Sequence, residues 1–506
     1  MFTRFAAVLL FVSTVSSPPR LAAAQTAAQT AAQTAAAPAA AAPAAAAQED
    51  DLPDRVVEAM RRATRYFHDE VAVRGGYVYT YSLDLQRRRG EGDATPTEIW
   101  VQPPGTPTVG EAYLAAYEAT GDAQFLIAAK DAATALIHGQ LESGGWADRV
   151  DFDPRGERAD RYRNGQGRAK GRNYSTLDDD KTQSALRFLM RLDRTLKFAD
   201  PQLHSSVQVA LDALLAAQFP NGGFPQGFKA PVTPQPVMRA NYPDYDWRTE
   251  NRIKEYWDLY TLNDGLAGTV AETLDVAHQV YGDARYEAAI KRLGDFLLLT
   301  QMPPPQPGWA QQYDFQMRPA WARKFEPPAV TGGETHDAIR TLMFVFERTQ
   351  DRKYLDAIPP ALDWLKRSQL PDGKVARFYE LRTNRPLYLT KDDYRLTYED
   401  DNLPTHYGFK LDSAVERLEK QYRELSETGR LKKSVSNLKT LTRDAEAIVS
   451  QLDDQGLKAD QGRWLATSSR KPFPPDGYRD KAIVSSELFA KNMRRLSEYL
   501  IAAKGR

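Results

Sequence analysis

The chain of 506 residues carries 67 basic and 67 acidic side chains, six histidines and no cysteine. A balanced charge provides no overall field for nucleic acid or an anionic membrane, and the missing cysteines exclude disulfides and thiolate metal sites. The six histidines lack paired ligand spacing, which argues against a zinc centre, so recognition of any charged partner has to be local.

The N-terminus reads as an export signal over 1–24: Arg4 precedes an apolar run from Phe5 to Val15, and Ala22-Ala23-Ala24 offers small residues for cleavage. That run is too short for a permanent membrane anchor, so a secreted or periplasmic protein is expected. Residues 25–50 are Ala, Pro and Gln with almost no large apolar side chains, the composition of a disordered linker. The folded part then opens with Val56, Val57, Met60, Ala63, Tyr66 and Phe67 at helical spacing, followed by alternating Tyr77-Val78-Tyr79-Thr80-Tyr81, a short strand. Helix pairs follow: one from Thr106 through Tyr117 with Phe125 to Ile137, then Thr182 to Leu192 with Val207 to Gln218. Leu266 to Val280 pairs with Tyr286 to Gln301, and Ala338 to Glu347 with Leu355 to Gln369, the last broken at Pro359-Pro360. The charged stretch from Leu411 to Leu457 is helical in pattern and is expected to be an antiparallel closing pair. A final helix runs from Ile483 to Leu500.

Four of the apolar stretches end on a glutamine and run into a glycine-containing turn, at Gln140, Gln218, Gln301 and Gln369. Repeated helix pairs bury their apolar faces on one another, and they can do so by curling into a ring. The expected fold is therefore mainly α, with long loops and a few short strands. A ring domain is expected over 51–410, with a C-terminal helical extension over 411–506 packing on it.

The chemistry gathers where the first helix of each pair begins. Thr176-Leu177-Asp178-Asp179-Asp180-Lys181-Thr182 opens one, Leu262-Asn263-Asp264-Gly265 the next and Thr331-Gly332-Gly333-Glu334-Thr335 a third, with Glu111 comparably placed in the first pair. Helix capping is the simpler account, since Asp, Asn and Thr accept from free backbone N–H groups there. Repeat symmetry favours a second account. Equivalent helix starts lie at the same end of a ring, and three adjacent aspartates repel unless a cation or basic groups relieve them. Arg155, Arg158, Arg161, Arg163, Arg168, Lys170 and Arg172 crowd the preceding loop, either a solvated basic surface or a track for an anionic substrate. Trp309, Trp321, Tyr313, Tyr256 and Trp257 supply flat faces that suit a core or a sugar ring.

The segment Asn173-Tyr174-Ser175-Thr176-Leu177-Asp178-Asp179-Asp180-Lys181-Thr182-Gln183 resembles the helix opening of the pectic acid lyases, polysaccharide lyase family 10. So do Asn221-Gly222-Gly223-Phe224-Pro225-Gln226, Tyr260 to Gly265, Trp309 to Asp314 continuing to Glu326, and Ala376 to Glu380 with Thr383 to Pro386. The resemblance covers about Ala59 to Phe409. It implies an α/α toroid (an incomplete α/α barrel) and a monomeric pectate lyase that cleaves polygalacturonate or a related polyuronate by calcium-dependent β-elimination. It further implies Ca2+ held by Asp178, Asp179 and Asp264, with Arg323, Asp178 and Asp264 catalytic and Arg323 as the base. Asp179, Asp314, Trp309, Arg340, Arg377 and Arg385 would bind the acidic polysaccharide. Lys391-Asp392-Asp393 and Thr405-His406-Tyr407-Gly408 depart from the family pattern. Two other readings stand beside this one: a glycoside hydrolase on the same ring using two of Asp178, Asp179, Asp264 and Glu334, or a non-catalytic glycan-binding protein.

Overall fold

In the computed structural model the glutamine repeat has one physical meaning. Three of the four glutamines, each ending an outer helix, donate both amide hydrogens to backbone, one to their own turn and one to the next outer helix or its start. Gln140 Nε2 donates to Gly144 O (2.8 Å) and Ser206 O (2.9 Å). Gln218 does the same with Gly222 O (3.0 Å) and Ala289 O (2.9 Å), and Gln301 with Pro307 O (3.0 Å) and Ala357 O (2.9 Å). Gln369 departs, donating to Ser413 Oγ. The structure describes residues 52–248, 254–432, 436–453, 462–467 and 482–505; the leader and linker expected over 1–50 lie outside them.

Among the described residues thirteen α-helices follow in order: α1 Leu52–Arg65, α2 Thr106–Thr120, α3 Ala123–His138, α4 Lys181–Thr195, α5 Pro201–Ala216, α6 Leu266–Tyr281, α7 Ala284–Thr300, α8 Gly332–Thr349, α9 Lys353–Asp356, α10 Ile358–Arg367, α11 Val415–Thr428, α12 Leu438–Asp453 and α13 Ser486–Lys504. The inner row is α13, α2, α4, α6, α8 and α11, each packed on the next, while α3, α5, α7 and α10 back them from outside. This is the α/α toroid. Gly110 lets α2 and α4 approach closely, since a Cβ there would lie 2.4 Å from the Phe188 ring. The break expected at Pro359-Pro360 falls between α9 and α10, with both prolines in the first turn of α10, where a missing N–H costs nothing. The expected closing pair does not pair: α11 packs on α8 and α10, α12 on α13 and α1. The end of the chain also supplies a strand at 482–485, where Thr80 pairs with Ser485. Its last helix, α13, lies along α2 in the inner row. Among the described residues no helix is long and apolar enough to cross a membrane.

Short antiparallel ladders fix where the inner helices start. The strand before α4 pairs Ser175 with Phe228, the strand before α6 pairs Tyr260 with Tyr313, and the strand before α8 pairs Val330 with Tyr379. Each ladder ties one inner helix to the chain leaving the next outer helix. The inner N-termini are thereby held side by side at one end of the ring.

Candidate active site

Two of these helix starts share an unusual backbone. Asp179 (φ 49°) and Asp180 (φ 62°) lead into α4, and Asp264 (φ 52°) with Gly265 (φ 68°) lead into α6. Two successive left-handed residues are costly for anything but glycine, asparagine or aspartate, and such strain gathers at functional sites. The kink turns the acids away from the helix ends. None of Asp178, Asp179, Asp180 or Asp264 makes a side-chain cap, whereas Asp122, Asp200 and Asp283 on the outer helices cap α3, α5 and α7 in the ordinary way. Capping therefore accounts for the outer aspartates and not for the inner ones.

Ligand oxygens of Asp178, Asp179 and Asp264 all lie within 4.8 Å of one another. Lys181 answers part of this charge, with Nζ 3.0 Å from Asp178 and 3.5 Å from Asp179. Burial works against that ammonium, but the two carboxylates hold it charged and raise it above its ordinary value. Gln226 donates to Asp178 (2.7 Å), Gln102 to Asp179 (3.2 Å) and Asn263 to Asp264 (2.6 Å). One lysine cannot balance three acids. Burial and then the neighbouring Asp178 raise Asp179, while Asp264 is pushed up to about 7 by desolvation, then by Asp179, Asp178 and Glu334. Asp264 is exposed at the rim of the mouth, with the partly buried Asp178 and Asp179 beside it. An all-oxygen cluster of this span suits a hard cation such as Ca2+, whose ligands sit about 2.3–2.6 Å from the ion and so face each other at about 5 Å.

Arg323 stands across from the cluster, close enough for Asp264 and the guanidinium to stabilise each other. Its Nε donates to Glu326 Oε2 (2.8 Å) and its backbone N–H to the same oxygen (2.9 Å), with Nη2 on Oε1. The guanidinium also stacks on Phe325 and Tyr407. Burial alone would lower Arg323, but the hydrogen bond and charge of Glu326 hold it firmly protonated. Glu326 is 2% exposed; burial would raise it, and the Arg323 fork with Gln311 keeps it below its ordinary value. Arg377 joins from the far side, donating to Tyr407 Oη (3.1 Å), with Glu334 at 3.9 Å.

Asp178, Asp179, Asp264, Arg323 and Arg377 therefore share one mouth. Arg340 sits at its margin, paired with Asp337 on α8, whose carboxylate lies beside Gly265. Other expected residues stand elsewhere. Trp309 is fully buried, with Nε1 donating to Leu297 O (2.9 Å), so it offers no face to a sugar. Asp314 is buried and holds a turn, accepting from the Gln316 and Arg318 backbone and from Arg318 Nε. Arg385 stacks on Tyr398 beside Glu380 and Arg248, and no described contact joins that group to the carboxylates. Glu111 faces along the ring interior to Arg191. Tyr313 and Trp321 are buried, leaving Trp257 exposed and Tyr256 half-buried at the mouth. Most of the basic loop is paired: Arg158 with Glu98, Arg161 with Glu142 and Arg172 with Asp148 and Asp160.

Lys181, Gln102, Gln226, Asn263, Gln311 and Tyr407 were not assigned roles by sequence reasoning, whereas a salt bridge from Arg323 to Glu326 or Asp314 was one reading of Arg323, and Glu326 is the partner. All but Gln102 lie inside the quoted motifs or the departing segment at Tyr407. The available signal was their motif membership; their direction had to come from the fold.

Residues 140–375, slightly under half of the chain, match the model of the pectic acid lyase family. No curated protein matches the chain. Similar solved structures include the family 10 polysaccharide lyase from Cellvibrio cellulosa, 19% identical, covering 64% of this chain and 98% of that one at a TM-score of 0.45. A mutant of that enzyme in complex with trigalacturonic acid is 18% identical, covering 64% and 99% at 0.44. The cellobiose 2-epimerase from Spirochaeta thermophila is 13% identical, covering 89% and 98% at 0.43. Nothing about the site rests on these superpositions.

Proposed function

We propose that the protein is an exported pectate lyase that cleaves polygalacturonate, or a closely related polyuronate, by calcium-dependent β-elimination. The observation that carries this reading is the convergence of Asp178 and Asp179 from one helix start with Asp264 from another, facing Arg323. Elimination removes the proton α to the uronate carboxylate, forms a double bond to the neighbouring carbon and expels the glycosidic oxygen. The difficulty is the negative charge that builds on the carboxylate as the proton leaves. Asp178, Asp179 and Asp264 would hold Ca2+, which when bound neutralises that charge. Arg377 stands ready to orient the uronate carboxylate, and exposed Trp257 offers a face for a sugar ring.

Arg323 fills the position of the base. At rest it is a cation gripped by Glu326, so it must first release a proton to solvent before it can take the one α to the carboxylate, a release that burial and a neighbouring cation favour. A hydrolase would need two carboxyl groups about 5–5.5 Å or 6.5–9.5 Å apart with distinct roles. Oxygens packed within 4.8 Å around a shared lysine serve a cation better.

The test is incubation of the protein with polygalacturonate, with Ca2+ or with chelator, following ultraviolet absorbance of the unsaturated product. Calcium-dependent absorbance supports the lyase. New reducing ends without absorbance would establish a hydrolase, and binding with neither would establish a glycan-binding protein.

A further inference from the structure

We propose that Gln311 is a positioning residue that ties the carboxylate expected to hold the metal to the carboxylate that holds the base. The inference rests on the lyase reading and extends it to a coupling between the two halves of the mouth. Gln311 Nε2 donates one hydrogen to Asn263 Oδ1 (2.7 Å) and the other to Glu326 Oε1 (2.7 Å). Asn263 in turn donates to Asp264 Oδ2 (2.6 Å), and Glu326 accepts the fork of Arg323. An unbroken chain therefore runs from Asp264 through Asn263, Gln311 and Glu326 to Arg323.

The middle of this chain is dry. Asn263, Gln311 and Glu326 are 5%, 4% and 2% exposed, so solvent offers the amides no alternative partner and each bond counts for more than it would in water. Its polarity is also fixed. Turning the Gln311 amide over would set its oxygen against the Glu326 carboxylate. Turning Asn263 over would set an oxygen against Asp264. Only one arrangement satisfies both acids when they are ionised.

A purely structural residue would not need this arrangement. Gln311 Oε1 is buried and without a hydrogen-bond partner, a deficit that an apolar side chain of similar size would avoid. The backbone explains how the amide is aimed. Leu262 N–H donates to Gln311 O (2.9 Å), just beyond the ladder that pairs Thr261 with Gln312, so position 311 is held opposite Leu262 and next to Asn263. Tyr407 clamps the other end, donating to Glu326 Oε1 (3.0 Å) while it accepts from Arg377. A cation drawn onto Asp264 takes electron density from Asn263's acceptor, and the change is carried through Gln311 to the carboxylate that sets Arg323. By reciprocity, changes at Glu326 alter the hold on the cation.

The experiment is a calorimetric Ca2+ titration without substrate on the full chain, comparing wild type, Asn263→Ala, Glu326→Gln and the double variant. Asn263 and Glu326 meet only through Gln311, so the cycle isolates the link. The expected result is non-additivity of threefold or more in Kd, which disappears when the cycle is repeated in a Gln311→Leu background. Gln311→Met serves if the leucine variant does not fold. A second readout is the Arg323 Nε–H resonance: the shift that Ca2+ produces in wild type contains the direct field at Asp264, and the part carried by Gln311 is lost in the Gln311→Leu or Gln311→Met variant. On substrate, Gln311→Leu lowers kcat about 30-fold, within the range lost when a catalytic group is misplaced, and moves KM less than threefold. Additive effects, or an Arg323 shift that the Gln311 variants leave unchanged, in a protein that binds Ca2+ and turns over pectate overturn this inference alone. A wild-type protein that binds no Ca2+ overturns both it and the lyase reading.

Discussion

Removing Arg323 tests the base and the architecture together, and the structure shows how to separate them. Arg323→Ala deletes two of the five hydrogen bonds that Glu326 accepts, those from Nε and Nη2, and leaves those from the backbone N–H of position 323, Gln311 and Tyr407. Glu326 then remains as a carboxylate at 2% exposure without its cation. Two charge-assisted bonds at about 1.5–3 kcal/mol each, reduced because the Arg323 head is over one-third exposed, give a loss of about 2–4 kcal/mol. That is large enough to lower the melting temperature by several degrees. Turnover should fall about 10²–10⁴-fold, the usual worth of a general base. The double variant Arg323→Ala/Glu326→Gln removes the stranded charge, so it should recover most of the stability and none of the turnover. Melting curves and initial rates on the same preparations decide the matter. If the double variant regains activity along with stability, Arg323 is a structural counter-ion and the base is elsewhere.

Asp264→Asn and Asp179→Asn should each weaken Ca2+ binding at least tenfold by calorimetry while leaving the metal-free protein folded, because each removes one charge from a crowded set. Asp160, buried beside an Arg172 that it shares with Asp148, is pushed up to about 6 because desolvation outweighs its partner. Its folded value lies above the unfolded one of about 3.9, so its contribution to stability is complete below about pH 4 and is lost as pH rises through 6. Asp160→Asn should flatten the decline of melting temperature over that window. Trp309→Phe, which removes the donor to Leu297 O from the core, should destabilise the protein by about 1–3 kcal/mol without changing KM. Trp257→Ala should do the reverse, raising KM for oligogalacturonate severalfold with little change in melting temperature.

What could be read from the chain in advance was whatever is local or repeated. Helical spacing placed the helix pairs. The glutamine recurrence signalled a ring, and three of its four copies make the same two backbone bonds. The acidic helix starts were legible as well, since three aspartates in a row cannot coexist quietly. Direction was not legible. Trp309 and Trp257 are the same residue type, yet the first is fully buried and the second exposed, a difference set by tertiary packing. Asp314 and Asp264 are both motif aspartates; a tight turn spends one on its own backbone, and a left-handed kink swings the other beside acids from 80-odd residues away in sequence. Sequence sets which groups exist and how often they recur. Whether their charges meet depends on distances across the ring, and electrostatic interaction falls off with separation in space and not along the chain.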